Sequence, residues 1–186
     1  MDKQKPAVLS TEIAYKNKYF KVRHDRLRWP NSRQEDDFIG DYFIIEGSPF
    51  VIVIVERAGQ FAVVRQYRHT VQMTTLELPK GGIEQGETPN RAARRELKEE
   101  VGCRVKRMAL LGKLACSIGN TRKQCFVFLA KNPSKLSKEH SKDPTEDDLR
   151  CSWISLKQLR RAFRKGQIID QDSHAAWNLY RESQLL

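Results

Sequence analysis

Residues 81 to 103 read Gly81-Gly82-Ile83-Glu84-Gln85-Gly86-Glu87-Thr88-Pro89-Asn90-Arg91-Ala92-Ala93-Arg94-Arg95-Glu96-Leu97-Lys98-Glu99-Glu100-Val101-Gly102-Cys103. Thr88 is a good N-cap and Pro89 fits a first turn, where a missing N–H costs nothing. Gly102 suits a left-handed terminus, so the stretch predicts a helix over Pro89 to Val101. Ala93, Leu97 and Val101 fall at i, i+4 and i+8 and form an apolar stripe that docks the helix on a sheet.

Another face of the same helix stacks carboxylates. Glu96, Glu99 and Glu100 lie at i, i+3 and i+4, where like charges repel unless a cation sits among them. Hard oxygen donors at this density suit Mg²⁺ or Mn²⁺. Arg95 can reach Glu99 one turn on, and Glu87 stands at the loop-to-helix junction, where the helix dipole favours a carboxylate. Gly81-Gly82 is expected to open backbone conformations closed to other residues and to bring main-chain groups close to a metal or phosphate. For Arg-Glu-x-x-Glu-Glu alone, a solvated surface helix with i to i+4 ion pairs is the competing reading.

Upstream of this helix the period changes. Tyr19 to Val22, Tyr42 to Ile45, Val51 to Val55 and Phe61 to Val64 are apolar runs separated by turn residues, and they read as strands. The hairpin signal is strongest for Val51 to Val55 and Phe61 to Val64, joined through Ala58-Gly59, with the first of the pair buried on both faces as a central strand. Downstream, Met108 to Leu114, Gln124 to Ala130 and Cys151 to Ile154 read as strands, followed by helices over Ser155 to Lys165 and about Asp172 to Ser183. The polar stretch Lys131 to Asp148 is too long for a plain connection and reads as a functional loop or a locally disordered one. Strands, a helix, more strands and then helices make a mixed α/β domain with a partly antiparallel sheet.

Composition narrows the class. The 186 residues carry 34 Lys plus Arg against 23 Asp plus Glu, a formal charge of +11, with 39% apolar and 31% charged residues. That balance excludes wholesale disorder and allows a core without disulfide or metal staples. The longest apolar run, Phe50 to Val55, is far short of the roughly 20 residues a bilayer span needs. No apolar stretch follows the charged first residues, so a cytoplasmic location is expected and no membrane partner. Cys103, Cys116, Cys125 and Cys151 lack metal or disulfide spacing and read as buried thiols. Positive charge recurs in Lys16 to Arg28, Lys131 to Lys142 and Lys157 to Lys165, without the interleaved aromatics of a base-stacking platform.

Taken together, Gly81, Glu87, Arg95, Glu96, Leu97, Glu99, Glu100, Gly102 and Cys103 match the spacing of the Nudix box, with Cys103 in an apolar slot. The chain resembles the Nudix hydrolase superfamily, and Arg65-Gln66-Tyr67-Arg68 and Leu76-Glu77-Leu78-Pro79 make it most similar to the ADP-ribose pyrophosphatase or ADP-compounds hydrolase branch. The resemblance implies an α/β/α sandwich with a mixed sheet over residues 49–186, preceded by an N-terminal antiparallel β region over residues 1–48. It also implies a divalent metal, Mg²⁺ or Mn²⁺, a nucleoside diphosphate-linked small molecule as substrate, and a homodimer formed through the N-terminal region.

Carried over residue by residue, the resemblance makes Glu96 and Glu100 direct metal ligands and Glu99 a further ligand or one acting through water. It adds the backbone carbonyl near Lys80 or Gly81, has Arg95 orient Glu99, and gives Glu87 and Gly102 structural support. Arg65, Arg68 and Lys80 are candidates for holding the diphosphate, with a plain strand-end ion pair as the alternative for the two arginines. The general base falls to Glu146, in the acidic run Glu146-Asp147-Asp148. Lys80, Cys116-Ser117-Ile118 and the basic loop Lys131 to Lys142 depart from the branch; Lys80 favours a more highly charged substrate, and the basic loop adds positive charge near the expected entrance. The leading expectation is hydrolysis of ADP-ribose or a related ADP-linked compound to AMP and a phosphorylated product. The alternatives are a nucleotide-sugar or dinucleoside polyphosphate pyrophosphatase, and a nucleotide- or RNA-binding module with weak catalysis.

Overall fold

The computed structural model describes residues 5–30, 37–135 and 148–185. The chain divides into two compact units, Met1–Ser48 with Ala115–Gln124, and Pro49–Leu114 with Cys125–Leu186.

In the first unit, β1 (Ala7–Lys16), β2 (Phe20–Trp29) and β3 (Phe38–Gly47) form an antiparallel meander, with Phe20 opposite Gly47 and Trp29 opposite Phe38. The ladder of β1 on β2 shifts register between Val8 and Ser10 and again between Ile13 and Tyr15. Charged residues on β2 find partners across the ladder and along the strand: Arg23 donates to Glu46 of β3 at 2.8 Å and to Asp25 of β2 at 2.9 Å. The hydrogen bond from Lys21, opposed by partial burial, holds the Glu46 carboxyl below its usual range. Val8, Leu9, Ile13, Phe38, Ile39 and Phe43 stay exposed.

In the second unit the central strand is β4 (Phe50–Arg57), flanked by β5 (Gln60–Arg68) and by the part of β10 (Thr121–Lys131) that runs from Cys125. The turn between β4 and β5 places Ala58 and Gly59 at φ 48° and 74°, the left-handed pair that a two-residue hairpin needs. β4 pairs in parallel with β10, from Phe50 opposite Cys125 to Glu56 opposite Lys131, and Phe50 to Val55 are all buried. A parallel strand covered on both faces is expected to be this continuously apolar.

Three helices cover the sheet. α1 (Pro89–Val101) packs Ala92, Ala93 and Leu97 against Val51, Val53, Val55, Ala62, Phe128 and Ala130. Alternation sends Ile52 and Ile54 to the opposite face. There α3 (Gln171–Ser183) sets Trp177 and Tyr180 edge-on to Phe61, and α2 (Leu156–Arg164) lies alongside β12 (Arg150–Ser155). This is an α/β/α sandwich with a mixed sheet. The short strands β6 (Met73–Glu77) and β7 (Lys80–Gly82) pair with β5 and β4, β8 (Cys103–Arg104) pairs with β11 (Ser134–Lys135), and β9 (Ala109–Cys116) pairs with β10. Cys103 and Cys125 are buried as expected, whereas Cys116 and Cys151 are half-buried; all four are free thiols. No described helix is long and apolar enough to cross a membrane.

Candidate active site on the first helix

α1 begins and ends where its sequence directs. Thr88 Oγ1 accepts from the Arg91 amide at 3.3 Å, and Gly102, at φ 67°, returns its N–H to the Lys98 carbonyl at 3.1 Å. With both ends fixed and one stripe buried, the carboxylate face is held in register against β7. Glu96 and Glu100 are each only 5% exposed, which is rare for carboxylates.

β7 is stitched to the central strand, Lys80 opposite Ile52 and Gly81 opposite Val51. The Lys80 amide donates to Glu100 Oε2 at 2.9 Å. A Cβ at Gly81 would lie 1.9 Å from Glu96 Oε1, so no side chain fits there while Glu96 keeps this position. Neither Gly81 nor Gly82 has a positive φ, so Gly81 serves close approach of a carboxylate and not the unusual backbone expected from sequence, while a Cβ at Gly82 would meet nothing.

Adjacent arginines on α1 diverge. Arg94 turns to the following loop and donates to the carbonyl of Val105 at 2.6 Å. Arg95 turns into the carboxylates and touches Glu96 Oε1 at 2.6 Å, Glu99 Oε2 at 3.1 Å, Glu87 Oε2 at 3.1 Å and the Gly82 carbonyl at 2.7 Å. Glu84 lies 3.7 Å away. Burial works against a charge on Glu87, but the bonds from Arg95 outweigh it and hold that carboxyl below its usual range. Desolvation likewise opposes the Arg95 charge, and Glu87 and Glu96 overcome it, raising its pKa.

One guanidinium thus bridges four carboxylates, Glu84, Glu87, Glu96 and Glu99, with Glu100 beside them. Hard oxygen donors packed this densely around a single cation fit a divalent ion of the Mg²⁺ type, and Glu96, Glu99 and Glu100 are the side chains that would hold it. As the side chains stand, no three His, Cys, Asp or Glu among the described residues form a ready-made cage. Arg95 stands among them as the present counter-ion.

The remaining candidates sit elsewhere. Arg68 makes a two-pronged pair with Glu77, Nε to Oε1 at 2.8 Å and Nη2 to Oε2 at 2.7 Å. Arg65 lines a cavity of about 260 Å³ together with Gln158 and Arg161. The ammonium of Lys80 meets Glu77 at 2.9 Å and Asp170 at 2.8 Å, so two carboxylates take up its charge. Burial opposes the charge on Glu77, yet Arg68, Lys80 and the Thr75 hydroxyl together pull its pKa down to about 2. Glu146 lies outside the described residues, but its neighbour Asp148 accepts the Tyr67 amide at 2.6 Å and ties the end of that loop to β5.

Sequence reasoning assigned no role to Glu77 or Asp170. Asp170 caps α3 by accepting from the Ser173 amide at 2.9 Å, and its Asp-x-x-Ser spacing was the available signal. Glu77 left only the alternation of Thr75 and Glu77 on a strand, which does not reveal a buried network.

Comparison with known proteins agrees with this geometry. The ADP-ribose pyrophosphatase of Mycobacterium tuberculosis is 27% identical over 163 residues, covering 87% of this chain and 76% of the relative. The ADP-ribose pyrophosphatase of Bacillus subtilis is 33% identical over 95 residues, covering 51% of each. A crystal structure of an ADP compounds hydrolase superposes with a TM-score of 0.82 at 22% identity, covering 98% of this chain and 95% of that one, a likeness of fold. The Nudix domain profile matches residues 47–172, which take in the whole of α1, its preceding loop and the strands β4 to β12, and the chain therefore belongs to the Nudix family of hydrolases.

Proposed function

We propose that this enzyme hydrolyses the diphosphate of ADP-ribose or a related ADP-linked compound, giving AMP and a phosphorylated product. The observation that carries the reading is the close approach of Gly81 to Glu96, with Glu100 bonded to the Lys80 amide alongside. Two nearly buried carboxylates are thereby fixed against main chain, an arrangement of use to a bound cation and of none to a solvated surface helix. The ADP-ribose pyrophosphatases among its relatives supply the substrate class.

In this reading Glu96, Glu99 and Glu100 hold Mg²⁺ or Mn²⁺, and the carbonyl of Lys80 or Gly81 adds a ligand. The ion, when bound, neutralises the diphosphate and lowers the pKa of a coordinated water. Arg95 keeps Glu96 and Glu99 apart and oriented while it is braced by Glu87. Arg65 and Arg68, both on β5, are the proposed ligands of the substrate phosphates, Arg68 by exchanging part of its pairing with Glu77. Glu146 is the proposed general base. The apolar residues left exposed on the β1–β2–β3 meander support pairing of two copies, and the location proposed is cytoplasmic.

The test incubates purified protein and its Glu100→Gln variant with Mg²⁺ or Mn²⁺ and a panel of ADP-ribose, nucleotide sugars, reduced dinucleotide cofactor and diadenosine polyphosphates, resolving products by chromatography. AMP and ribose 5-phosphate appearing fastest from ADP-ribose, and only with the unmodified protein, is the expected outcome. Faster turnover of another member of the panel overturns the substrate, and equal turnover by the variant overturns the site.

A further inference from the structure

The basic run on α2 plays no part in the site on α1. The helix sequence Leu156–Arg164 contains Lys157, Arg160, Arg161 and Arg164 and no acidic residue. Leu159 and Ala162 are its buried positions, so this charge is turned outward. Arg160 and Arg164, one helical turn apart, line a cavity of about 600 Å³ together with Phe163. Across it, α3 presents His174, Asn178 and Arg181 at i, i+4 and i+7.

The lining mixes unneutralised cations with flat rings. Among the described residues, Arg160, Arg164 and Arg181 pair with no carboxylate, whereas Arg23, Arg68 and Arg95 all do. Phe163 stacks on Trp177 at 5.5 Å and 14°, and meets His174 edge-on at 4.9 Å. His174 Nε2 donates to the Ile168 carbonyl at 2.8 Å, which leaves Nδ1 an acceptor when the ring is neutral. Asn178 adds an amide that can both donate and accept.

We propose that this groove between α2 and α3 is a second binding site, separate from the carboxylate face of α1, for a nucleoside di- or triphosphate. Three guanidiniums suit two or more phosphate groups, which they meet with charge-assisted and bidentate bonds. The half-buried Phe163 ring and the Asn178 amide suit a base, its face on the ring and its edge on the amide. The volume is that of a small-molecule site, and a concave hollow of this size favours a single nucleotide over a nucleic-acid strand. The site stands independently of the substrate proposed for α1, since no residue of α1, β7 or their connecting loop lines it.

The test is calorimetric titration of the full chain with α,β-methylene-ADP, whose bridging carbon prevents cleavage between the phosphates. The protein as it stands is compared with an Arg160→Ala, Arg164→Ala, Arg181→Ala variant and with Asn178→Ala. The expected result is a binding event that weakens at least about tenfold in the triple variant, while hydrolysis at α1 keeps its kcat/KM and the melting temperature holds. Asn178→Ala should weaken the analogue without weakening inorganic diphosphate. Unchanged binding in the triple variant overturns the site. Inorganic diphosphate binding as tightly as the analogue overturns the nucleotide, and a single-stranded RNA decamer that displaces the analogue at lower concentration overturns it in favour of nucleic acid.

Discussion

The Lys80 backbone amide donates to Glu100 Oε2 while its side-chain ammonium grips Asp170, so one residue joins the carboxylate face of α1 to the first turn of α3. The amide bond survives any substitution except proline; the ion pairs do not. Lys80→Met should leave Glu77 and Asp170 without their shared cation and cost on the order of 3–5 kcal/mol, as breaking a buried pair does. Thermal unfolding measures this. A change below 1 kcal/mol would show the cluster to be solvated.

Gly81→Ala tests the steric argument. The new methyl would displace the end of the Glu96 side chain, a flexible group, so stability should fall by only about 1–3 kcal/mol. Turnover should fall by about two orders of magnitude, and the metal concentration for half-maximal rate should rise. Normal activity in Gly81→Ala would show that Glu96 need not stand where it does.

Arg95→Lys keeps the charge and loses the fork. An ammonium cannot span Glu87, Glu96, Glu99 and the Gly82 carbonyl at once. Activity should drop roughly 10- to 100-fold, as for supporting residues around metal ligands. Steady-state rates across a metal titration decide it, and recovery of full rate at high Mg²⁺ would limit the role of Arg95 to affinity.

Acid should loosen the Glu77 cluster, and only at low pH. Its carboxyl titrates near 2 in the fold against an ordinary value of 4.5, a depressed pKa, so its contribution is complete above about 4.5 and is lost as pH falls through about 2. The size is of the order of 3 kcal/mol, shared with Arg68 and Lys80. Denaturant melts between pH 6 and pH 2 should show this loss, and Glu77→Gln should flatten it.

His24 carries a sign opposite to that of Glu77. Hydrogen bonds to Glu12 and then Asp41 raise its pKa above 6.5, so its contribution is present below that value and lost as pH rises through the raised one. Imidazole chemical shifts followed against pH would locate the midpoint. A midpoint at or below 6.5 would mean that the two carboxylates do not hold the ring.

What was legible in the sequence followed local rules. Thr88, Pro89 and Gly102 fixed the ends of α1, and Ala58-Gly59 fixed the hairpin, because caps and turns depend on near neighbours. β1 escaped notice because all ten of its residues are exposed, so no buried face marks it. β2 runs on through Arg23, His24, Asp25 and Arg26, whose charges hide a strand until their cross-strand partners are known. In the site, the three glutamates and Arg95 were readable from helical spacing. The partners of Lys80 and Arg68 were not, since Lys80 and Asp170 are ninety positions apart.

The parallel ladder between β4 and β10 bears on how the protein is made. Phe50 lies opposite Cys125, so the ladder closes a loop of 125 − 50 = 75 residues before any of its bonds form. The bed under α1 needs Phe128 and Ala130 as well as Val51, Val53 and Val55. A nascent chain emerging from the ribosome therefore has Glu96, Glu99 and Glu100 well before it has a floor to set them on. Contacts this distant in sequence slow folding, and the carboxylate face gains its final geometry only after Ala130 has emerged.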